Sequence, residues 1–142
     1  MSHSGSCLCG SVKVTVKSKQ DSQIICHCTD CQQTSGSNHS TNILPNQSDV
    51  VLKGNVKEYN YKVPSGNTVT RLFCGNCGSA LGHKSKAFGD AMAIQTGNLP
   101  DFRKIPFNLE LFTKDRWVNF PPVQHAEQAW TMPGAPGPKA KL

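Results

Sequence analysis

The chain has 142 residues, a length typical of one domain with a single core. Hydrophobic residues make up 37% of the sequence, and no run approaches the roughly 20 apolar residues of a membrane span, which excludes a transmembrane protein. The N-terminus lacks the basic and apolar regions of a secretory signal. We therefore expect a cytoplasmic protein, with the nucleus as a second location.

Most of the chain has the pattern of short β-strands. Val12, Val14 and Val16 alternate with polar residues, which predicts a strand with one buried face. Further strands are predicted where β-branched and aromatic residues lie between turn residues, at 50–52, 56–61, 69–73, 91–95 and 107–112. Residues 64–67 predict a hairpin connection. Helix is expected only as a turn at 30–35 and a short element at 124–130, so the fold class is mainly β.

The end of the chain changes in composition. From Thr131 onward, prolines and glycines are too frequent for a regular packed element. The sequence therefore predicts one domain over residues 1–130, followed by a flexible tail over residues 131–142.

The formal charge of +6 raises the question of a nucleic-acid partner. The sequence also contains seven cysteines. If these bind two zinc ions as thiolates, the thiolates contribute −7 and the ions +4, which lowers the net charge to about +3. The lysines are dispersed, with no block of five like charges. Nucleic acid is therefore an improbable partner, and Trp117 is expected to pack in the core rather than stack on bases.

The seven cysteines fall into three local clusters, and none is left over. An odd number in a reducing compartment argues against disulfides and favours metal ligation. Cys7 and Cys9 point to one face of an extended strand. Cys74 and Cys77 have the spacing of a zinc knuckle, with Gly78 free to take a positive φ. Together these two half-sites predict a closed, structural four-cysteine zinc centre.

The third cluster comprises Cys26, Cys28 and Cys31, which can surround a second zinc ion and leave one coordination position open. An open position can hold water or a substrate atom. Alternatives are a fourth ligand from His27 or His39, a redox-sensing thiol group, or buried thiols without metal. The His27 ring is expected to point away from the metal, because His27 alternates with its two cysteine neighbours.

At these residues the sequence resembles the glutathione-dependent formaldehyde-activating enzyme family, which also includes centromere protein V. Three specific segments carry the resemblance: residues 5–12 (Gly-Ser-Cys-Leu-Cys-Gly-Ser-Val), 26–31 (Cys-His-Cys-Thr-Asp-Cys) and 71–79 (Arg-Leu-Phe-Cys-Gly-Asn-Cys-Gly-Ser). Weaker motifs are Gly-Asn-Leu at 97–99 and Asp-Arg-Trp at 115–117. The resemblance covers roughly residues 5 to 120.

The resemblance implies a small antiparallel domain, called a β-tent, held together by zinc. It implies two zinc ions per chain. The first is structural and is bound by Cys7, Cys9, Cys74 and Cys77. The second is catalytic and is bound by Cys26, Cys28 and Cys31. The implied activity is that of a carbon–sulfur lyase, which forms or cleaves the adduct between the glutathione thiol and formaldehyde. The implied partner is a small thiol such as glutathione.

Other polar residues are weaker candidates. Arg71, Lys84 and Lys86 could attract substrate carboxylates. Gln32 and Gln33 follow the third cluster where many family members carry a basic residue, and glutamine can bind a carboxylate but supplies no counter-charge.

Two questions stay open at this stage. The first is the general base: His27, His39 and His83 are candidates by residue type alone. An alternative to the enzyme is a non-catalytic, zinc-stabilised interaction module of the chromatin, cytoskeleton or small-GTPase chaperone type.

Overall fold

The computed structural model describes residues 2–135 and residue 137. In this part of the chain the secondary structure is mainly β, with one α-helix, α1, at Thr29–Ser35. The strands are β1 (His3–Ser6), β2 (Val12–Val16), β3 (Gln23–Cys26), β4 (Ser40–Ile43), β5 (Val50–Gly54), β6 (Val56–Lys62), β7 (Thr68–Cys74), β8 (Ala80–Ser85), β9 (Ala93–Gln95), β10 (Phe107–Leu111) and β11 (Glu127–Gln128). Short 3-10 turns lie at Gln47–Asp49, Lys86–Phe88, Thr96–Asn98, Pro100–Lys104 and Thr113–Asp115.

The strands form two open sheets. The smaller sheet has the order β1-β2-β5, and the larger has the order β11-β10-β3-β4-β9-β8-β7-β6. Most neighbouring strands run antiparallel, as predicted, whereas β10 pairs in parallel with both β3 and β11. The two cysteine half-sites lie far apart in sequence and belong to different sheets. Cys7 follows β1 of the small sheet, and Cys74 ends β7 of the large one.

The predicted strand over 12–16 is confirmed, and the other predicted strands correspond to β5, β6, β7, β9 and β10. Residues 64–67 connect β6 to β7 in an antiparallel hairpin. The helical turn at 30–35 is confirmed as part of α1. The helix predicted at 124–130 is wrong, because this segment contains β11, whose backbone pairs with β10. The prediction that Trp117 packs in the core is also wrong, because its side chain is 53% exposed.

The main core lies between the two sheets. The valines of β2 are almost fully buried, whereas Lys13 between them is exposed, as the alternation predicts. They pack in one cluster with Ile43, Leu81 and Ile94 of the large sheet. A smaller cluster joins Cys26 and Cys31 to Leu111 and Ala129. The third cysteine group therefore belongs to the packed interior rather than to a surface loop.

A glycine allows β1 to approach the 3-10 turn at Thr96–Asn98 closely. A Cβ atom on Gly5 would overlap the backbone carbonyl oxygen of Asn98. The Asn98 backbone cannot easily move, since the Asn98 side chain donates a hydrogen bond to the Ala80 carbonyl at 2.7 Å. This close approach brings the segments at residues 5–12 and 97–99 into contact in the fold.

We expect Gly5→Ala to lower the free energy of unfolding by roughly 1–3 kcal/mol, the usual range for overpacking in a packed interior. Urea unfolding followed by circular dichroism measures the change. The matched control is Gly97→Ala, since an added Cβ there meets open space. Equal stability of the two variants would contradict the close packing of β1.

The last described residues begin the predicted tail. The Thr131 carbonyl accepts a hydrogen bond from the Phe112 N–H at 3.0 Å, so the start of this segment lies against the fold. Residues 136 and 138–142 lie outside the described part of the chain, and for them the tail stays a prediction. Among the described residues, no helix combines the length and the apolar character needed to cross a membrane.

Candidate functional site

The first cysteine group joins the two predicted half-sites. The sulfur atoms of Cys7, Cys9, Cys74 and Cys77 all lie within 4.8 Å of one another. The Cys7 and Cys9 sulfurs are 3.6 Å apart, and the Cys9 and Cys74 sulfurs are 3.8 Å apart. Gly78, directly after the second half-site, has φ 78°, the left-handed conformation that a tight knuckle favours. Four sulfurs at these distances could bind one metal ion.

Hydrogen bonds favour the thiolate form of two members of this group, Cys9 and Cys74, whereas burial raises the pKa of Cys7. The Val12 N–H donates to the Cys7 sulfur at 3.2 Å, and the Cys77 N–H donates to the Cys74 sulfur at 3.4 Å. The Ser11 hydroxyl, together with the Asn76 side chain, lowers the pKa of Cys9 to about 5. Hydrogen bonds from Ser11 and from backbone N–H groups lower the pKa of Cys74 to about 7. Such a donor set fits a cation that binds thiolates.

The second cysteine group lies where β3 leads into α1. Cys26 ends β3, Cys28 is the N-cap of α1, and Cys31 lies in the first turn of the helix. The Cys28 sulfur accepts a hydrogen bond from the Cys31 N–H at 3.4 Å. The three sulfurs lie within 4.8 Å of one another, so the turn from strand to helix assembles the group from six consecutive residues. We call these residues the cysteine trio.

The chemistry of the trio also fits a metal cation. The neighbouring thiols of Cys28 and Cys31, and then burial, raise the pKa of Cys26. Hydrogen bonds from Cys26 and Cys28 lower the pKa of Cys31. Crowded sulfurs therefore cannot all ionise unless a cation replaces their protons. Within residues 2–135, no histidine, aspartate, glutamate or further cysteine places a ligand atom in this group.

Neither histidine considered as a fourth ligand joins the trio. His27 is fully buried, and its Nε2 contacts Glu110 Oε1 at 2.8 Å. His39 contacts the Asn38 side chain through Nδ1 at 2.5 Å, and its ring packs against Phe120 at a centroid distance of 5.2 Å. The Nδ1 atom of His27 is buried without a hydrogen-bond partner, and neither histidine places a ring nitrogen in the group formed by the three sulfurs.

A buried polar network holds the segment that carries the trio. Glu110 on β10 is fully buried and contacts His27, Arg116 at 3.1 Å and the Val123 N–H at 2.9 Å, and it accepts a further hydrogen bond from Gln128. Burial raises the pKa of the Glu110 carboxyl, but the hydrogen bonds outweigh burial and the net shift is downward. The Glu110 carboxylate is therefore ionised. Its contact with His27 holds that residue in place between Cys26 and Cys28.

A cavity of about 230 Å³ opens over the trio. All three cysteines line it, together with apolar side chains from several strands and with polar residues that include Asp30, Tyr61, Arg71 and His83. A neighbouring cavity of about 460 Å³ shares Asp30, Tyr61 and Arg71 as a wall. The cysteine trio therefore borders a space that a small molecule can enter.

The polar residues of this wall form a chain of hydrogen bonds. The Tyr61 hydroxyl donates to Asp30 Oδ2 at 2.9 Å, and Arg71 Nε donates to the Tyr61 oxygen at 3.2 Å. The other end of the Arg71 guanidinium donates to His83 Nδ1 at 3.0 Å. Since a guanidinium only donates, His83 Nδ1 is an acceptor and carries no proton.

His83 is consequently a neutral ring with its proton on Nε2. Burial, and then the positive charge of Arg71, lower the pKa of His83 to about 4. The Nε2 atom makes no hydrogen bond to a described residue. It is accessible to solvent rather than fully buried. Near neutral pH, His83 is therefore suited to donate a hydrogen bond into the cavity rather than to accept a proton.

The remaining polar candidates lie elsewhere. Lys84 and Lys86 do not line the trio cavity. The Gln32 side chain donates to the His27 carbonyl at 2.9 Å and so supports the trio segment, whereas Gln33 lines the neighbouring cavity. Arg71 lies in the trio cavity, and it is buried rather than displayed at the surface.

The sequence analysis missed three contributors to this site: Asp30, Tyr61 and Glu110. Asp30 lies inside the cysteine motif, which was a usable signal. The alternation of Tyr59 and Tyr61 along β6 placed both on one face, although only the sheet register brings them near Arg71. Glu110 gave no signal, because a single acidic residue in a strand normally faces solvent.

Comparisons with known proteins agree with this fold. A crystal structure of a Rhodobacter sphaeroides protein is similar, with a TM-score of 0.56 and 19% sequence identity. The similarity covers 76% of this chain and 100% of that one. No curated protein matches the sequence.

The resemblance read from the cysteine motifs is confirmed by a direct match. The sequence model described as glutathione-dependent formaldehyde-activating enzyme matches residues 2–115, a span that includes both cysteine groups and all but the last strand. The chain therefore belongs to the glutathione-dependent formaldehyde-activating enzyme family.

Proposed function

We propose that the protein is a zinc-dependent carbon–sulfur lyase that forms and cleaves the adduct of glutathione with formaldehyde. Zinc at Cys7, Cys9, Cys74 and Cys77 is structural in this proposal, and zinc at Cys26, Cys28 and Cys31 is catalytic. Both centres lie in one domain, residues 1–130. The observation that carries the proposal is the trio itself: three buried or half-buried sulfurs with no fourth described ligand, at the floor of an accessible cavity.

The trio cavity provides the place for carbon–sulfur chemistry. Zinc held by Cys26, Cys28 and Cys31 would favour the thiolate form of a substrate sulfur near neutral pH. In the forming direction the substrate sulfur bonds to the formaldehyde carbon while the carbonyl π bond breaks. The oxygen takes a proton from solvent, which balances the proton that the thiol lost.

Negative charge develops on the former carbonyl oxygen in this step, and His83 is placed to stabilise it. Its neutral ring can donate the Nε2 proton in a hydrogen bond to that oxygen without giving the proton up. Arg71 fixes the tautomer, and the Tyr61–Asp30 pair fixes Arg71. Arg71 thus acts as a positioning residue, and His83 as the group that touches the substrate.

We expect His83→Phe to lower kcat roughly 10²-fold, the usual cost of removing one donor to a developing oxyanion, with little change in the KM for glutathione. His83→Gln should recover part of the loss, because the glutamine amide also donates. Exchange NMR measures both parameters from the rates that exceed the spontaneous reaction.

The comparison of the two His83 variants separates a hydrogen-bonding role from a packing role. Circular dichroism confirms that both variants are folded. An equal loss of kcat in both variants, or a rise in KM alone, would contradict the assignment of His83.

Native mass spectrometry of the reduced protein tests the proposed function directly. We expect two zinc ions per chain, and a glutathione adduct when glutathione is present. Exchange NMR of an equilibrium mixture of formaldehyde, glutathione and their adduct should then show interconversion above the spontaneous rate.

Two results would overturn the proposal. One bound zinc ion without a glutathione adduct would favour a zinc-stabilised interaction module instead. Two zinc ions and an adduct without any acceleration of the exchange would make the trio a thiol-binding centre without lyase activity.

A further inference from the structure

The trio cavity has mainly apolar walls. The side chains surrounding the three cysteines come from several strands and turns, and among them are Ile24, Val69, Phe88, Ala93, Leu111 and Phe112. Phe112 has φ 54°, a left-handed conformation that is strained for an aromatic residue. Apolar walls beside a polar reaction centre indicate that a substrate group other than the reacting atoms is bound here.

The cavity offers little to a charged substrate body. Arg71 is the single lysine or arginine that lines it among the described residues. Its Nε and one terminal nitrogen are already bound to Tyr61 and His83, and the nearby Asp30 would repel a carboxylate. A glutathione carboxylate in this cavity would lose hydration beside mainly apolar walls, and the remaining N–H groups of Arg71 would be its one cationic partner among the described lining residues.

The sulfur of the adduct carries two groups. These groups extend from the bound sulfur in different directions, so they cannot both point out of the cavity by the same side. One is the charged glutathione body, and the other is the carbon derived from the aldehyde. Since the walls are apolar, the charged body must point to solvent, and the aldehyde-derived group must remain inside. This assignment rests on the proposed function, because it takes the sulfur to be bound at the trio.

The size of the cavity then bears on the aldehyde. A volume of about 230 Å³ is roughly eight times the share of one water molecule in the liquid. Formaldehyde has two heavy atoms and leaves most of that space unfilled. We propose that the trio cavity binds the apolar chain of an aldehyde larger than formaldehyde, as its glutathione adduct.

The reaction keeps the same balance for such an aldehyde. The glutathione sulfur bonds to the carbonyl carbon, the carbonyl π bond breaks, and the oxygen is protonated as the thiol proton is released. The product is a hemithioacetal, and the reverse step regenerates the aldehyde and the thiol.

Stable S-alkyl glutathiones test this inference by binding alone. S-pentylglutathione places an apolar chain on the sulfur, S-methylglutathione represents the formaldehyde adduct, and S-(4-carboxybutyl)glutathione has a pentyl-like chain that ends in a charge. Calorimetry with the zinc-loaded protein should show S-pentylglutathione binding at least tenfold tighter than either other compound. Each buried methylene contributes roughly fourfold in affinity, so a tenfold gain requires only part of the chain to be buried.

A variant that narrows the cavity provides the second measurement. Ala87 is exposed at the cavity lining, so Ala87→Phe adds bulk there without disturbing the core. We expect this variant to remove the preference for S-pentylglutathione and to leave the affinity for S-methylglutathione within about twofold. Ala135→Phe, at an exposed position away from the cavity, is the matched control.

The outcomes separate this inference from the proposed function. If formaldehyde exchange is accelerated but the pentyl chain binds no tighter than the methyl group, the inference is wrong and the lyase proposal stands. If the pentyl chain binds tightly and Ala87→Phe abolishes the preference without any accelerated exchange, the cavity assignment stands and the lyase proposal fails. If no S-alkyl glutathione binds and no exchange is accelerated, both fail.

Discussion

Cys77→Ser is expected to abolish the folded state at room temperature. Serine replaces a thiolate ligand with a hydroxyl that stays protonated, so the four-cysteine centre loses its closed coordination. Structural zinc contributes roughly 10–16 kcal/mol in small zinc-binding peptides. That contribution is as large as the roughly 5–15 kcal/mol by which a whole domain is stable. Circular dichroism should show the loss of β-structure, and metal analysis should show the loss of zinc.

The reason lies in what the centre connects. Cys7 and Cys9 follow β1 of the small sheet, whereas Cys77 follows β7 of the large sheet. The Leu8 N–H also donates to the Ser79 hydroxyl at 3.1 Å, a contact that depends on the two half-sites staying together. A Cys77→Ser protein that melts cooperatively at the wild-type temperature would show that this centre is not structural.

Cys28→Ser is expected to remove activity and leave the fold intact. The variant deprives the trio of one of its three sulfurs, so we expect the second zinc ion and the glutathione adduct to disappear from the native mass spectrum. The exchange between formaldehyde and its adduct should fall to the spontaneous rate. The serine hydroxyl is a preferred N-cap group and can replace the Cys28 sulfur as the acceptor for the Cys31 N–H.

The two cysteine variants control for each other, because each makes the same chemical change in a different group. The thermal midpoint of Cys28→Ser should lie within a few degrees of the wild type, whereas Cys77→Ser should show no transition. Unfolding of Cys28→Ser would assign a structural role to the trio as well. A glutathione adduct retained by Cys28→Ser would place the thiol site elsewhere.

The strands that the sequence predicted share a clear local pattern. Val12, Val14 and Val16 alternate with polar residues, and the residues of β6 and β7 flank a turn of typical composition. The strands β1, β3, β4 and β8 were not predicted, because each is short and lacks a sustained alternation of β-branched or aromatic residues with polar ones. Pairing with their neighbours in the sheets makes them strands, and this pairing is a long-range interaction.

The C-terminal segment shows the same limit of local patterns. Residues 124–130 have a weak helical pattern, yet the chain there forms β11 beside β10. The Ala129 N–H donates to the Glu110 carbonyl at 2.8 Å, and the Gln128 side chain donates to the Glu110 carboxylate. These bonds join residues about 18 positions apart, and they outweigh a short helix that would be marginal by itself.

The three cysteine groups could be recognised from the sequence alone. Cysteines spaced two or three residues apart meet locally, so the trio and both half-sites were identified without knowledge of the fold. The surroundings of these cysteines follow from the tertiary structure. The apolar cavity over the trio, the neutral tautomer of His83 and the ionised Glu110 each depend on contacts between residues distant in sequence, because burial and hydrogen-bond partners are set by the packing of strands and not by the residues themselves.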